Sequence, residues 1–436
     1  MTITLRLLVA CGTTLATIGS GPPSTQNRMS SPPPTGLYDA NPNHLWNRIH
    51  ERLHVRTAPD GTKYGFDTVD PLLWRETHYL VVGASSVSAM RVLDEFLAAN
   101  GERLIRDPLK RAVFQHDLWA VFDWLASVSD GDKATRSRIM QRLARVKRRV
   151  ALPRKNIDAL PDTYAAAIAS GGFADQPVRL PQPYLPRDLF SSSGPWVTVG
   201  VGGLAPLLPQ HSRELGRSAF IVLWSLPGGA AQTREYLQKL WNFPQPFVVD
   251  EMFQFDRNGE VRARINPALP AIPDGTRIAL VRKMLLIDDS GVIVPSNLIE
   301  SIQLRAFPEP PFAELRMSRA DLFAWKSGGL RGVSADEQDF ITFSAHGMDP
   351  LEQKPWSKST SVARVLAGCT SCHHVGVEPD ITTVLSLPHM LRPASLVDFR
   401  HDRWGRWFTQ PIVAAEAKSR SYEWGVLQGL WQSEPR

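Results

Sequence analysis

The sequence predicts an α+β protein in three parts: a helical N-terminal region, a strand-rich α+β middle, and a small, mostly α C-terminal part. Three observations carry that expectation. Apolar residues recur at helical spacing between residues 43 and 175. They change to two-residue alternation punctuated by hairpin turns between 176 and 327. From 328 to 436 both patterns loosen into short segments carrying Trp356, Trp404, Trp407, Trp424 and Trp431. That tail suits a small domain wrapped around something large and flat.

Within the helical region, residues 85–99 and 107–127 show the 3.6-residue period, and Asp107-Pro108 supplies an N-cap followed by a first-turn proline. The second of these helices carries Val113, Leu118, Val121, Phe122 and Leu125 with Trp119 and Trp124, enough apolar bulk for a central core element. A Pro-rich passage over 176–195 separates it from the middle region. There, 219–226 is a continuous apolar run, the pattern of a buried strand. Val261, Ala263 and Ile265 alternate with arginines after Asn258-Gly259, a hairpin-turn dipeptide. Residues 276–287 and 292–294 flank Asp288-Asp289-Ser290-Gly291, a second hairpin, and Ile302, Leu304 and Ala306 alternate with Gln303 and Arg305. One helix, 230–241, interrupts the strands.

A chain of 436 residues exceeds one compact core. Its 43% hydrophobic and 21% charged content is that of a globular protein. Three cysteines exclude a disulfide-stapled scaffold, and the lack of an eighteen-residue apolar run excludes an integral membrane bundle. The net charge of +6 is concentrated in one place. Residues 131–155 hold ten basic side chains against the single acid Asp132, a local charge of +9, so the rest of the chain carries −3. Ile139, Leu143, Val146 and Val150 give that segment a helical apolar stripe. The plain expectation is a solvated basic face. An anionic membrane surface or an acidic partner is the functional alternative. Nucleic acid is not expected, because no binding motif accompanies the charge.

At the N-terminus, Arg6 precedes Leu7-Leu8-Val9-Ala10-Cys11, and a Pro/Ser-rich tether follows through residue 42. One cation, an apolar stretch and small residues make a short export signal. Leu8-Val9-Ala10-Cys11 also resembles a bacterial lipobox, whose cysteine is acylated, although its apolar region is short. The expectation is export to the periplasm or cell envelope, with Cys11 as the lipidation position. A frayed cytosolic terminus is the bland alternative.

The most informative residues are Cys369-Thr370-Ser371-Cys372-His373. In a C-x-x-C-H site, two thiols add across the porphyrin vinyl groups, and the adjacent imidazole reaches the iron from the same side. With three cysteines and eleven histidines, chance yields the pentapeptide in only about 5 of 10,000 shuffled chains.

The motif resembles that of the c-type cytochromes. By that resemblance Cys369 and Cys372 attach haem c and His373 is the proximal iron ligand, within a haem region at 328–436. Val362, Val365 and Leu366 would edge the short helix that enters the motif. Met390, in the proline-bracketed loop Leu387-Pro388-His389-Met390-Leu391-Arg392-Pro393, is the candidate distal ligand. Its seventeen-residue spacing from His373 is short, and His374, His389, His401, His346 and Met348 are its rivals. The resemblance implies a monohaem electron carrier and a redox partner protein. A peroxidase-like haem oxidoreductase with an open sixth position is the alternative.

Zinc at Cys369, Cys372, His373 and His374 would need a second ligand pair, and a dithiol redox pair would need a thioredoxin-like βαβ setting. A separate metal motif, His50-Glu51-Arg52-Leu53-His54, places two histidines on one helix face with a glutamate between them. It resembles a zincin metalloprotease, with Glu76 as the formal third ligand, and is the runner-up enzyme reading. Arg52 puts a charge where zincins keep an uncharged residue, and Pro59-Asp60-Gly61 ends the helix early. The plainer expectation is a pair of surface histidines on an amphipathic helix.

Overall fold

The computed structural model describes residues 36–333, apart from 58–60, 62, 70–73, 75–76, 78, 129–130, 177–182, 200–216, 246, 250–262 and 308–312, together with 339–340, 366–367 and 411–433. The mixture of helices and antiparallel strands is the α+β class the sequence predicts.

Six helices come first: α1 (Leu45–Leu53), α2 (Ala84–Ala98), α3 (Pro108–Ser127), α4 (Lys133–Val150), α5 (Arg154–Asp158) and α6 (Thr163–Ala169). The short strands β1 (Arg56–Thr57) and β2 (Lys63–Tyr64) pair between α1 and α2. Helix α3 begins where the sequence places it. Asp107 Oδ1 accepts from the Leu109 and Lys110 amides at 2.8 and 3.1 Å, satisfying two donors that a helix start leaves open. Asp132 caps α4 in the same way, at the Ala134 and Thr135 amides. Ile139, Leu143, Val146 and Val150 are all buried, so the stripe read from the sequence is the packing face of α4.

The main sheet has six antiparallel strands: β3 (Val197–Val199), β4 (Ser218–Ser225), β7 (Arg277–Ile287), β8 (Ile293–Ala306), β9 (Ala313–Met317) and β10 (Leu330–Gly332). Their spatial order is β10-β9-β8-β7-β4-β3. A separate pair, β5 (Phe247–Val249) with β6 (Ala263–Ile265), follows helix α7 (Gly229–Trp241). The expected Asn258-Gly259 turn lies outside the described residues. The β7–β8 turn is the second hairpin expected. Asp288 Oδ1 accepts from the Ser290 and Val292 amides at 3.0 and 2.9 Å, and Gly291 takes the φ of 84° that closes the turn.

Helix α3 lies between α4 and the sheet and is buried on nearly every side, as its lack of a polar face requires. The Gln115 amide group donates to the Ile287 carbonyl at 2.7 Å and accepts from the Ile287 amide at 2.9 Å. These two bonds fasten the helix to the sheet. One apolar core runs from Leu37 through Trp119 and Ile139 to Ala219, Leu285 and Trp431. The boundary expected at 175/176 therefore separates helix-rich from strand-rich sequence without separating two cores.

The boundary at 327/328 is also crossed. Strand β10 completes the main sheet against β9, just after the short helix α8 (Arg319–Phe323). The C-terminal helices α9 (Pro411–Lys418) and α10 (Tyr422–Gln432) pack on α3, α4 and the sheet. Trp424 and Trp431, expected around a flat partner, are buried in the common core, with Trp424 5.8 Å from the Trp119 ring. The reason is amphipathic geometry: residues 424, 427 and 431 share the apolar face of α10. A helix was expected to enter the haem motif through Leu366. Residues Leu366–Ala367 instead pair as a strand with Asp339–Phe340, which satisfies their backbone groups in a ladder.

Much of the basicity of α4 serves packing. Arg142 binds Asp94 in a two-pronged contact at 2.8 and 3.0 Å, and Arg149 lies 3.7 Å from Glu102. Arg148 donates to the Trp431 carbonyl at 2.8 Å, and Lys147 is fully buried. The expected solvated face is thus confined to part of the helix, including exposed Lys133 and Arg138.

Candidate functional site

The sequence-derived haem residues Cys369, Cys372, His373 and Met390, the lipidation position Cys11, and Glu76 lie outside the described residues. So do the alternative axial candidates His346, Met348, His374, His389 and His401. Among the sequence motifs, the described residues include His50-Glu51-Arg52-Leu53-His54 on and just beyond α1.

The surface-histidine expectation for that motif is corrected. His50 and His54 are buried, with rings stacked 4.9 Å apart at 28°. The burial follows from α1 turning its Trp46, Ile49, His50 and Leu53 face onto α2 and α3. Tyr38 lies edge-on to His50 at 5.7 Å, and Trp74 packs edge-on to His54 at 5.9 Å. The His50 Nε2–H donates to the Phe66 carbonyl at 2.7 Å, which fixes the tautomer of the neutral ring. Among the described residues, neither ring nitrogen of His54 has a hydrogen-bond partner. Burial, reinforced by the neighbouring His54, lowers the His50 pKa from 6.5 to about 3. Burial also lowers His54, against the opposing charge of Asp117.

Glu51 is separated from this chemistry. Its carboxylate is 44% exposed and pairs with Lys63 at 3.3 Å. A zincin needs that carboxylate beside the two imidazoles, on water bound to metal. Among the described residues, no group of three or more His, Cys, Asp and Glu side chains is arranged to hold a metal ion.

Beneath the histidines lies a charged layer that the sequence reading missed. Asp117, on α3, accepts from Arg319 Nε and Nη2 at 2.7 and 2.5 Å, with both residues buried. Burial alone would raise the Asp117 carboxyl, but the Arg319 guanidinium outweighs it and holds the pKa below the ordinary value. Arg319 is raised in turn by Asp117, against its own burial. The Tyr38 hydroxyl is pushed well up by burial and then by the Asp117 charge. Adjacent His116 directs Nδ1 to the Leu285 carbonyl and Nε2 to Glu300, both at 3.0 Å. Glu300 also accepts from the Ser218 hydroxyl and lies 3.3 Å from Arg282. Burial opposes ionisation of Glu300, yet Arg282 and His116 hold its pKa well below the carboxylate range.

In this arrangement the carboxylate stands between Ser218 and His116, so the imidazole is not placed to take a proton from the serine. The layer is a locked polar network rather than a nucleophilic triad. One signal in the sequence marks it: His116-Asp117 lies in the middle of a helix carrying Val113, Phe114, Leu118, Trp119, Val121 and Phe122, where buried polar residues require partners. Nothing local marks Arg319 as the partner, 202 residues away.

The chain matches no protein-family model, no curated protein and no solved structure.

Proposed function

We propose that the chain is an exported monohaem c-type protein that moves electrons through covalently bound haem. The observation that carries this reading is the pentapeptide Cys369-Thr370-Ser371-Cys372-His373. Its donor set fits the group: two thiols for thioether bonds and an imidazole for iron, at the spacing haem attachment requires. Cys369 and Cys372 would hold the porphyrin, His373 the proximal face of the iron and Met390 the distal face. The bound haem supplies a one-electron couple, and a methionine ligand would raise its potential relative to histidine. The remaining cysteine, Cys11, stands in the lipobox-like segment, so a periplasmic or envelope location and a lipid anchor accompany the reading.

The described body, with its interlocked core and internally paired charges, suits a scaffold that presents such a group to a redox partner protein. The exposed cations of α4 are candidates for contact with an anionic surface.

The test is attachment. Expressed with a cytochrome c maturation system, the full chain should retain haem through a denaturing gel, and Cys369→Ala with Cys372→Ala should remove it completely. A colourless wild-type protein would overturn the reading. In the oxidised wild type, Met390→Ala should abolish the weak long-wavelength band of methionine-ligated iron and lower the potential. An unchanged spectrum and potential would transfer the distal role to a histidine.

A further inference from the structure

Helices α2 and α4 lie side by side and run in the same direction. Gly131 abuts Val81 at one end, Arg142 binds Asp94 midway at 2.8 and 3.0 Å, and Arg149 donates to the Leu97 carbonyl at 2.7 Å at the other. On α4, Arg138, Arg142, Arg145 and Arg149 recur at i, i+4, i+7 and i+11, a row displaced by one residue from the buried apolar stripe. On α2, Val87, Arg91 and Asp94 share one stripe by the same spacing, and Asp94 joins that stripe to the arginine row through Arg142.

This face exposes charge and apolar surface together. The Arg138 side chain is 56% exposed, and Arg91, Lys133 and Arg145 are exposed as well. Val87 is 62% exposed and Val82, just before α2, is 41% exposed. Among the described residues of the face, three acids oppose the cations. Asp94 binds Arg142, Glu102 lies 3.7 Å from Arg149, and Asp132, the cap of α4, lies 4.0 Å from Arg138. The four arginines of the row, with Arg91 and Lys133, therefore outnumber the acids six to three.

A spread surplus of exposed cations fits an anionic partner. Shape selects among such partners. Two helices packed side by side form a convex ridge, and a protein partner would need a matching hollow to bury its valines. The headgroup layer of a bilayer closes around a convex surface and admits shallow apolar insertion beside the cations. We infer that the α2–α4 face docks on an anionic lipid bilayer, with Arg91, Arg138 and Arg145 among the headgroups and Val82 and Val87 entering the headgroup layer. This deepens the anionic-surface contact suggested above and does not depend on haem, whose gel assay reads a different segment, so either reading can fail alone.

The test uses the full chain carrying Cys11→Ser, so that no acyl group takes part, and vesicles of phosphatidylcholine alone or mixed with phosphatidylglycerol. Sedimentation should show binding to the mixed vesicles that falls as salt rises. Arg91→Gln with Arg138→Gln and Arg145→Gln should weaken it about a hundredfold, at about fivefold per cation. Val87→Asp should weaken it as well, and circular dichroism checks that both variants are folded. Equal binding to the two vesicle types, or binding to mixed vesicles that neither variant changes, would overturn the docking face. Capture by polyglutamate, lost in the triple variant, without vesicle binding would also overturn it and assign the face to an acidic protein. If the triple variant fails to fold, the comparison of vesicle types together with Val87→Asp decides the question.

Discussion

Asp117→Ala is expected to lower folding stability by about 3–5 kcal/mol, because it leaves a guanidinium buried without its carboxylate. Arg319 is only 3% exposed, and Asp117 supplies two of its hydrogen bonds at 2.7 and 2.5 Å. Its remaining contact in this network, from Nη1 to the Asp67 carbonyl at 3.2 Å, brings no formal charge. Replacing both partners, Asp117→Leu with Arg319→Met, should recover most of the loss, since no charge then remains to be desolvated. Urea unfolding followed by far-ultraviolet circular dichroism measures both variants. A loss below about 1 kcal/mol in the single variant would mean that water reaches Arg319 and that the pair is not the buried lock described above.

The second large effect is acid sensitivity that begins above the carboxylate range. A histidine whose pKa is lower in the folded protein than in the unfolded chain takes up its proton on unfolding. Stability must therefore fall as pH drops below the unfolded value of 6.5, and for His50 the fall continues toward about 3. His54 shifts in the same direction. Each such histidine contributes a slope of up to about 1.4 kcal/mol per pH unit. Asp117 and Glu300 act in the same direction, but only at lower pH. Their lowered pKa values add stability above the unfolded values of 3.8 and 4.5, and that stability is lost on further acidification. Between pH 6.5 and 4.5 the buried histidines should therefore set the slope. His54→Phe preserves an aromatic ring beside Trp74 and should make the slope shallower. Urea midpoints measured across that interval provide the check. An identical slope in wild type and variant would show that His54 is protonated within the fold.

Both effects depend on burial, which is also where the sequence was least informative. Caps and periodicity were legible. Asp107-Pro108 marked the start of α3, the 139–150 apolar stripe marked the buried face of α4, and Asp288-Asp289-Ser290-Gly291 marked the β7–β8 turn. Each signal involves groups only a few residues apart, so backbone geometry alone brings them together.

The His50–His54 motif shows the limit of such local information. Helical spacing placed both imidazoles on one face, and the structure keeps them there at 4.9 Å. Spacing did not reveal that the face would be sealed by Tyr38, Phe66 and Trp74, or that Glu51 would remain outside with Lys63. Lys147 makes the same point within a strongly basic run. Its neighbours Arg148 and Arg149 reach backbone carbonyls, while Lys147 is fully buried with its ammonium beside the Trp119 and Phe122 rings.

The sequence by itself determined the α+β class, the starts of its principal helices and the main hairpin turn. Only the tertiary structure decided that the helical region, the sheet and the C-terminal helices share a core, that Asp117 meets Arg319, and that Lys147 stands buried beside Trp119. The physical reason is range. Dihedral preference and side-chain period act within a few residues, whereas desolvation and charge pairing depend on which distant surfaces close over a group.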